Sequence, residues 1–295
     1  MQIIQSPQEM QALSKNWGCG GLQIGFVPTM GALHEGHLAL ARRARSECDK
    51  FVASIFVNPT QFAPHEDLGR YPRPFEHDCE ALREAGCDVI FAPTPRDIYG
   101  DEFAQGKASP ASTHFHSAHT YVEVSRLGEV WEGTVRPGHL RGVATVVSIL
   151  FNIVRPSRAY FGEKDYQQLK VVQRLVRDLH FGIEIVPCDT VREPDGLAMS
   201  SRNAYLAPDE REAACALYQA LRTGAQMAHD GEHDVAKLGV AMQQICEAHP
   251  LVSLQYIAAV DAETLASLGQ LDGRAARILI AARVGSTRLI DNIAI

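Results

Sequence analysis

No stretch of this chain approaches the ~20 consecutive apolar residues that a membrane span requires. Its most apolar run, Gly142 to Val154, is interrupted by Thr145, Ser148 and Asn152 and reads as a buried helix. The opening Met1-Gln2-Ile3-Ile4-Gln5-Ser6-Pro7 lacks a charged start and a long apolar core. It therefore does not read as a secretory signal, and a cytoplasmic location is expected. None of the seven cysteines forms a Cys-x-x-Cys pair, so zinc-knuckle and redox spacings are missing and free thiols are expected. An excess of basic charge is missing too. The 28 Lys and Arg stand against 35 Asp and Glu, and the net charge of −7 disfavours nucleic acid as the main partner. No serine stands in a Gly-x-Ser-x-Gly elbow and no cysteine in a recognisable Cys/His motif, so covalent catalysis has no evident nucleophile. Internal repeats and low-complexity tracts are absent.

What is present is the composition of a globular protein, 46% hydrophobic and 21% charged over 295 residues, enough for one large domain or two ordinary ones. The first half alternates apolar strands with amphipathic helices. Strands are expected at Leu22–Val27, Phe51–Val57, Cys87–Ala92, Arg158–Gly162 and Gly182–Pro187. Helices are expected at Gln8–Leu13, Gly36–Cys48, Phe75–Ala85, Leu140–Val154 and Tyr166–Leu179. This order predicts an α/β fold, a Rossmann-like doubly wound parallel sheet, with ligands at the carboxyl ends of the strands. After about Cys188 the pattern changes to two helices, Pro208–His229 and Val235–His249, then strands Leu254–Val260, Arg277–Ala282 and Thr287–Ile293. That predicts a smaller α+β C-terminal domain. The expected division is a Rossmann-like catalytic domain over 1–187 and a domain over 188–295 that closes over the site. Residues Ala104 to His119 read as an extended loop, followed by a strand at Thr120–Val124.

Four stretches carry candidate chemistry. Pro28-Thr-Met-Gly-Ala-Leu-His-Glu-Gly-His37 is a strand-to-helix turn, which offers backbone amides and a positive helix end to an anion. His34 and His37, three apart, would share one face of the first turn. Taken alone, such a pair is more often polar surface than site, and no local carboxylate or cysteine completes a metal set. Phe56-Val-Asn-Pro-Thr-Gln-Phe62 ends a strand with two amide side chains, Asn58 and Gln61. It is either an Asn-Pro turn or a place for hydroxyls and a carboxylate. Phe161-Gly-Glu-Lys-Asp-Tyr-Gln-Gln168 again runs from strand to helix. A capping box explains Asp165 with Gln168, but leaves the Lys164 cation beside a positive helix end without an anion. Met199-Ser-Ser-Arg-Asn203 is either a solvated loop with a capping serine or a phosphate cradle.

Together these motifs resemble the pantoate–β-alanine ligase (pantothenate synthetase) family, within the nucleotidyltransferase superfamily that carries His-x-Gly-His. The resemblance runs from about residue 20 to 206. Tyr71-Pro-Arg73, Trp131-Glu-Gly133, Arg136-Pro-Gly-His139 and Thr190-Val-Arg192 are also similar to the family pattern. Residues Ala104–His119, with His114, His116 and His119, depart from it as an insertion, for which a solvated loop is expected ahead of a metal site.

The resemblance implies an ATP-dependent condensation of pantoate with β-alanine through a pantoyl adenylate, releasing AMP and diphosphate. It implies an ATP site of Met30, Gly31, Ala32, Leu33, His34, Glu35, Gly36, His37, Gly162, Glu163, Lys164, Asp165, Val191, Met199, Ser200, Ser201 and Arg202. His34, His37, Lys164 and Arg202 would be the catalytic groups, with His37 the proton donor. Gln61 and Gln168 would hold pantoate, and Gln61 would also face β-alanine. Mg²⁺ is expected on the ATP phosphates with no dedicated protein cage, Asp165 being the nearest carboxylate. The expected assembly is a homodimer. Two rivals stay open: a nucleotidyltransferase that leaves the nucleotide on its product, and a non-catalytic nucleotide-binding module.

Overall fold

A computed structural model describes residues 1–64, 66–100 and 120–295. The insertion at Ala104–His119 and its three histidines lie outside the described residues. Two compact units emerge, one of Met1–Glu163 with Gln167–Cys188 and the other of Lys164–Tyr166 with Asp189–Ile295.

The first unit is built on a six-stranded sheet. Its strands are β1 (Gln2–Ile4), β2 (Ile24–Thr29), β3 (Lys50–Ile55), β4 (Val89–Phe91), β5 (Arg158–Gly162) and β6 (Glu184–Cys188). Their order is β1-β4-β3-β2-β5-β6 and every pairing is parallel. The near-continuous apolar strands explain this, because a parallel sheet is covered on both faces. Phe26, Val27, Phe51, Val52 and Ile90 are all buried.

Helices α1 (Pro7–Cys19), α2 (Glu35–Glu47), α3 (Phe75–Glu84), α4 (Pro95–Tyr99), α5 (Glu132–Val135), α6 (His139–Val154) and α7 (Tyr166–Asp178) follow in chain order. Leu40, Ala41 and Ala44 of α2, with Cys79 and Leu82 of α3, pack on Val27, Phe51 and Ile90. From β2 the chain proceeds outward through β3 to β4, then returns to place β5 on the other flank of β2. The reversal lies between β2 and β5, where an open α/β sheet leaves a crevice at its carboxyl edge. Gly25 pairs with Arg158 and Phe26 with Ala159. Both strands therefore deliver their carboxyl ends, Thr29 and Gly162, to the same edge.

The second unit carries an antiparallel sheet, β7 (Val252–Asp261), β8 (Ala276–Val284) and β9 (Thr287–Ala294), in that order. Helices α8 (Pro208–His229) and α9 (Val235–Glu247) cover it with a core of Leu217, Leu221, Met242, Ile278 and Ile280. No helix among the described residues is long and apolar enough to cross a membrane.

The strand expected at Thr120–Val124 does not form. The Val122 amide donates instead to Thr145 Oγ1 at 3.0 Å, and Thr145 Oγ1 donates back to the Val122 carbonyl at 3.3 Å. A side chain of α6 satisfies the backbone groups that a neighbouring strand would otherwise bind. The seven cysteines are free thiols.

Candidate active site

The Pro28–His37 turn leaves β2 at the reversal and enters α2 at Glu35. Gly31 has φ +80°, and a Cβ there would stand 2.9 Å from Asp78 Oδ2 and 3.1 Å from Ile55 Cγ2. Glycine meets both constraints, left-handed backbone and close approach.

The strand-to-helix turn is expected from its sequence to offer its backbone amides to an anion. The structure engages most of them internally. Gly31 N–H donates to Thr29 Oγ1 at 3.1 Å. Ala32 N–H and Leu33 N–H each donate to the Asp78 carboxylate at 2.8 Å. His34 N–H donates to His37 Nδ1 at 3.4 Å, and Gly36 N–H to His34 Nδ1 at 3.2 Å. His37 N–H reaches the His34 carbonyl at 2.8 Å.

The two imidazoles thus cap α2 reciprocally, in the manner of a capping box built from histidines. Each Nδ1 accepts, so each neutral ring carries its proton on Nε2. The rings lie 4.1 Å apart between centroids. Both Nδ1 atoms are thereby committed to the start of α2. Glu35 forms an ion pair with Arg42 on the exposed side of α2.

Asp78 lies in none of the four polar motifs. It is almost wholly buried, on the face of α3 that also buries Leu82 four residues on. An acidic side chain within an apolar helical stripe is the signal that could have found it.

Gln61 sits in the 3-10 turn Pro59–Gln61 after β3, with one contact at each end of its amide. Its Oε1 accepts from Asn58 Nδ2 at 3.1 Å, and its Nε2 lies 2.9 Å from Met30 Sδ. That contact joins Gln61 to the histidine-bearing loop. Asn58 is itself buried, with Oδ1 accepting from the Tyr99 hydroxyl at 2.7 Å and Nδ2 donating to the Gly142 carbonyl at 3.2 Å. Burial pushes the Tyr99 phenol up to about 12, so it stays a donor.

The Gln61 carbonyl meets His139 Nδ1 at 2.8 Å and Arg136 NH2 at 3.4 Å. Arg136 NH1 lies 3.0 Å from His139 Nε2. Its Nε and NH2 donate to the two Glu66 oxygens at 2.6 and 2.8 Å. Burial would raise the Glu66 carboxyl, but the Arg136 hydrogen bonds and charge outweigh it and hold the group down at about 2. Desolvation, then the Arg136 charge, lower His139 to about 4.

Gly162 ends β5 with open space above it. Glu163, Lys164 and Asp165 form the next 3-10 turn, and Gln168 lies half-buried in α7. The preceding Gln167 is structural. It donates to the Leu127 and Val130 carbonyls at 2.7 and 2.8 Å and accepts from Glu132 N–H at 2.9 Å.

Lys164 belongs to the C-terminal unit, where its carbonyl accepts from Asn292 Nδ2 at 2.9 Å. Its ammonium stands 3.6 Å from the Asp165 carboxylate, so the cation beside the helix start has an anionic neighbour in the chain itself. In the same unit Met199 N–H donates to the Val191 carbonyl at 3.0 Å, closing a hairpin. Ser200 caps the following turn by accepting from Arg202 N–H at 3.3 Å, which brings Ser200, Ser201 and Arg202 together. Arg192 anchors the hairpin through a bidentate pair with buried Asp291 at 2.6 and 3.0 Å.

Among the described residues no group of three or more His, Cys, Asp or Glu could hold a metal ion. Asp165, half-exposed beside Lys164, is a single carboxylate and makes no metal cage.

The Pantoate-beta-alanine ligase family model matches residues 2–294. A pantothenate synthetase of Rubrobacter xylanophilus is 59% identical over 293 residues, covering 99% of this chain and 98% of its own. One from Moorella thermoacetica is 51% identical, covering 92% of this chain and 91% of its own. Among solved structures, a pantothenate synthetase of Thermus thermophilus superposes with a TM-score of 0.89 at 46% identity, covering 99% of each chain. A pantoate-beta-alanine ligase of Francisella tularensis, complexed with beta-gamma ATP and beta-alanine, gives 0.76 at 34% identity over 99% of this chain and 97% of that one.

Proposed function

The chain belongs to the pantoate-beta-alanine ligase family, and from that premise we infer how its residues divide the work. It is a ligase that condenses pantoate with β-alanine at the expense of ATP. The pantoate carboxylate attacks the α-phosphorus and diphosphate leaves. The β-alanine amine then attacks the acyl carbon and AMP leaves, the amine proton passing to solvent or to the departing phosphate.

No protein nucleophile enters either step, so acceleration comes from positioning and from stabilising charge. His34 and His37 act as Nε2–H donors to the phosphates, His37 on the transferring one. Lys164 and Arg202, with Ser200 and Ser201, neutralise the triphosphate. Gln61 and Gln168 hold pantoate, and Gln61 also faces β-alanine. Mg²⁺ bound to the triphosphate, with Asp165 as its protein carboxylate, would lower the charge that the attacking carboxylate meets. A homodimer in the cytoplasm is the accompanying reading, and light scattering tests its first half.

The observation that carries this division is the 2.9 Å contact between Gln61 Nε2 and Met30 Sδ. It ties the amide proposed for the acid substrate to the loop proposed for the nucleotide. The test is diphosphate release from ATP with and without pantoate. Release should require pantoate, and adding β-alanine should yield AMP and an amide in equal amounts. Release independent of pantoate, or a product that retains the nucleotide, would overturn the reading.

A further inference from the structure

We propose that His139 is a positioning residue for Gln61, oriented by Arg136 and Glu66, and that it sets the affinity for the acid substrate through the Gln61 main chain. The proposal rests on the reading of Gln61 as the pantoate and β-alanine contact. None of the three residues is required to touch substrate.

The Gln61 carbonyl only accepts, so the 2.8 Å contact with His139 Nδ1 places a proton on Nδ1. A guanidinium only donates, so the 3.0 Å contact with Arg136 NH1 makes His139 Nε2 the acceptor. One tautomer satisfies both contacts, the neutral Nδ1–H form. A second proton, on Nε2, would face the Arg136 cation. The ring is thus a fixed one-way donor chain from guanidinium through imidazole to the Gln61 carbonyl.

Arg136 is fixed in turn by two hydrogen bonds to Glu66, which place the guanidinium in one plane. The Gln61 side-chain oxygen is turned by Asn58. Backbone and side chain are therefore oriented by separate groups, one from α6 and its approach, the other from the end of β3. Gly142 lets α6 come this close, since a Cβ there would stand 2.5 Å from the Thr60 carbonyl oxygen and 2.9 Å from Gln61 Cα. A helix packed that tightly under a loop transmits its own position to the loop. A substrate amide displaced by as little as an ångström loses much of its hydrogen-bond energy.

The test uses the full-length enzyme and four variants. Gln61→Ala checks the underlying reading: KM for pantoate must rise while KM for ATP stays within about twofold. His139→Ala should raise KM for pantoate and β-alanine about ten- to hundredfold, the range of a lost buried hydrogen bond, with KM for ATP nearly unchanged. His139→Asn sets an N–H near the Nδ1 position and should recover most of that loss. His139→Gln, whose amide reaches the Nε2 position, should not. Thermal melting of each variant separates positioning from unfolding. If His139→Ala does not fold, the Asn and Gln pair decides alone.

Equal loss for pantoate and ATP, or equal behaviour of the folded Asn and Gln variants, would overturn the proposal. A Gln61→Ala variant with unchanged pantoate KM would overturn the reading beneath it. An effect at Gln61 with none at His139 would sink only the positioning claim.

Discussion

His34 and His37 cap the same helix with each other's help: the His34 amide donates to His37 Nδ1, while His34 Nδ1 takes the Gly36 amide. The orientation of the two rings is therefore built into the start of α2. The cap contributes about 1 kcal/mol, as caps do. His37→Ala should lower turnover by orders of magnitude while costing stability only that small amount. Steady-state kinetics beside a urea melt checks both halves. A variant that unfolds outright would show the ring to be structural first.

Asp78 is the second member of the same construction. Its two oxygens take the Ala32 and Leu33 amides, so removing it leaves one buried and one part-buried donor unpaired. Asp78→Ala should destabilise the protein by about 2–4 kcal/mol and raise KM for ATP more than KM for β-alanine. Asp78→Asn keeps one acceptor and should fall between the two. Denaturant unfolding and substrate titrations read both effects.

Gly142→Ala tests the packing of α6 against the Gln61 turn. The added methyl would meet main-chain atoms of Thr60 and Gln61, which cannot swing away as a side-chain tip could. The expected cost is about 1–3 kcal/mol, with a rise in pantoate KM well beyond that for ATP. A melting curve and a pair of substrate titrations decide it, and an unchanged protein would mean that α6 yields easily.

Stability should depend on pH in two windows. His139 is held at about 4, below its ordinary 6.5. Between these values the unfolded chain binds a proton that the folded one does not, so stability falls as pH drops from about 6.5 to about 4. The loss should be roughly 3 kcal/mol. Glu66 is held at about 2, below its ordinary 4.5. Its contribution is complete above about 4.5 and is lost as pH falls through 2. His139→Asn should abolish the upper window and leave the lower one. Chemical denaturation at half-unit pH steps measures this, and an unaltered upper window would contradict the assignment.

Much of the architecture was legible from the sequence. The apolar strands and the periodic helices between them predicted the parallel sheet, and Pro208–His229 was readable to its ends because a proline and two acids mark its start. Short elements were harder. β1 has three residues, and α4 and α5 have five and four, too few for any period to show. At Thr120–Val124 the local pattern was that of a strand, but the Val122 amide found Thr145 instead of a neighbouring strand.

The sequence by itself determined the order of the longer elements, the four polar motifs at their ends, and through them the family. These signals are local, since a strand, a turn and a helix start each declare themselves within a dozen residues. Only the tertiary structure decided how the Pro28–His37 turn works. Its amides, which the sequence alone would offer to an anion, are largely engaged, two of them by Asp78 from 45 and 46 residues away. The Nδ1 atoms of both imidazoles are committed to the helix start. Only the fold, too, brought His139 to the Gln61 carbonyl across 78 residues. Hydrogen bonds between such distant residues depend on the packing of whole elements, which no local pattern encodes.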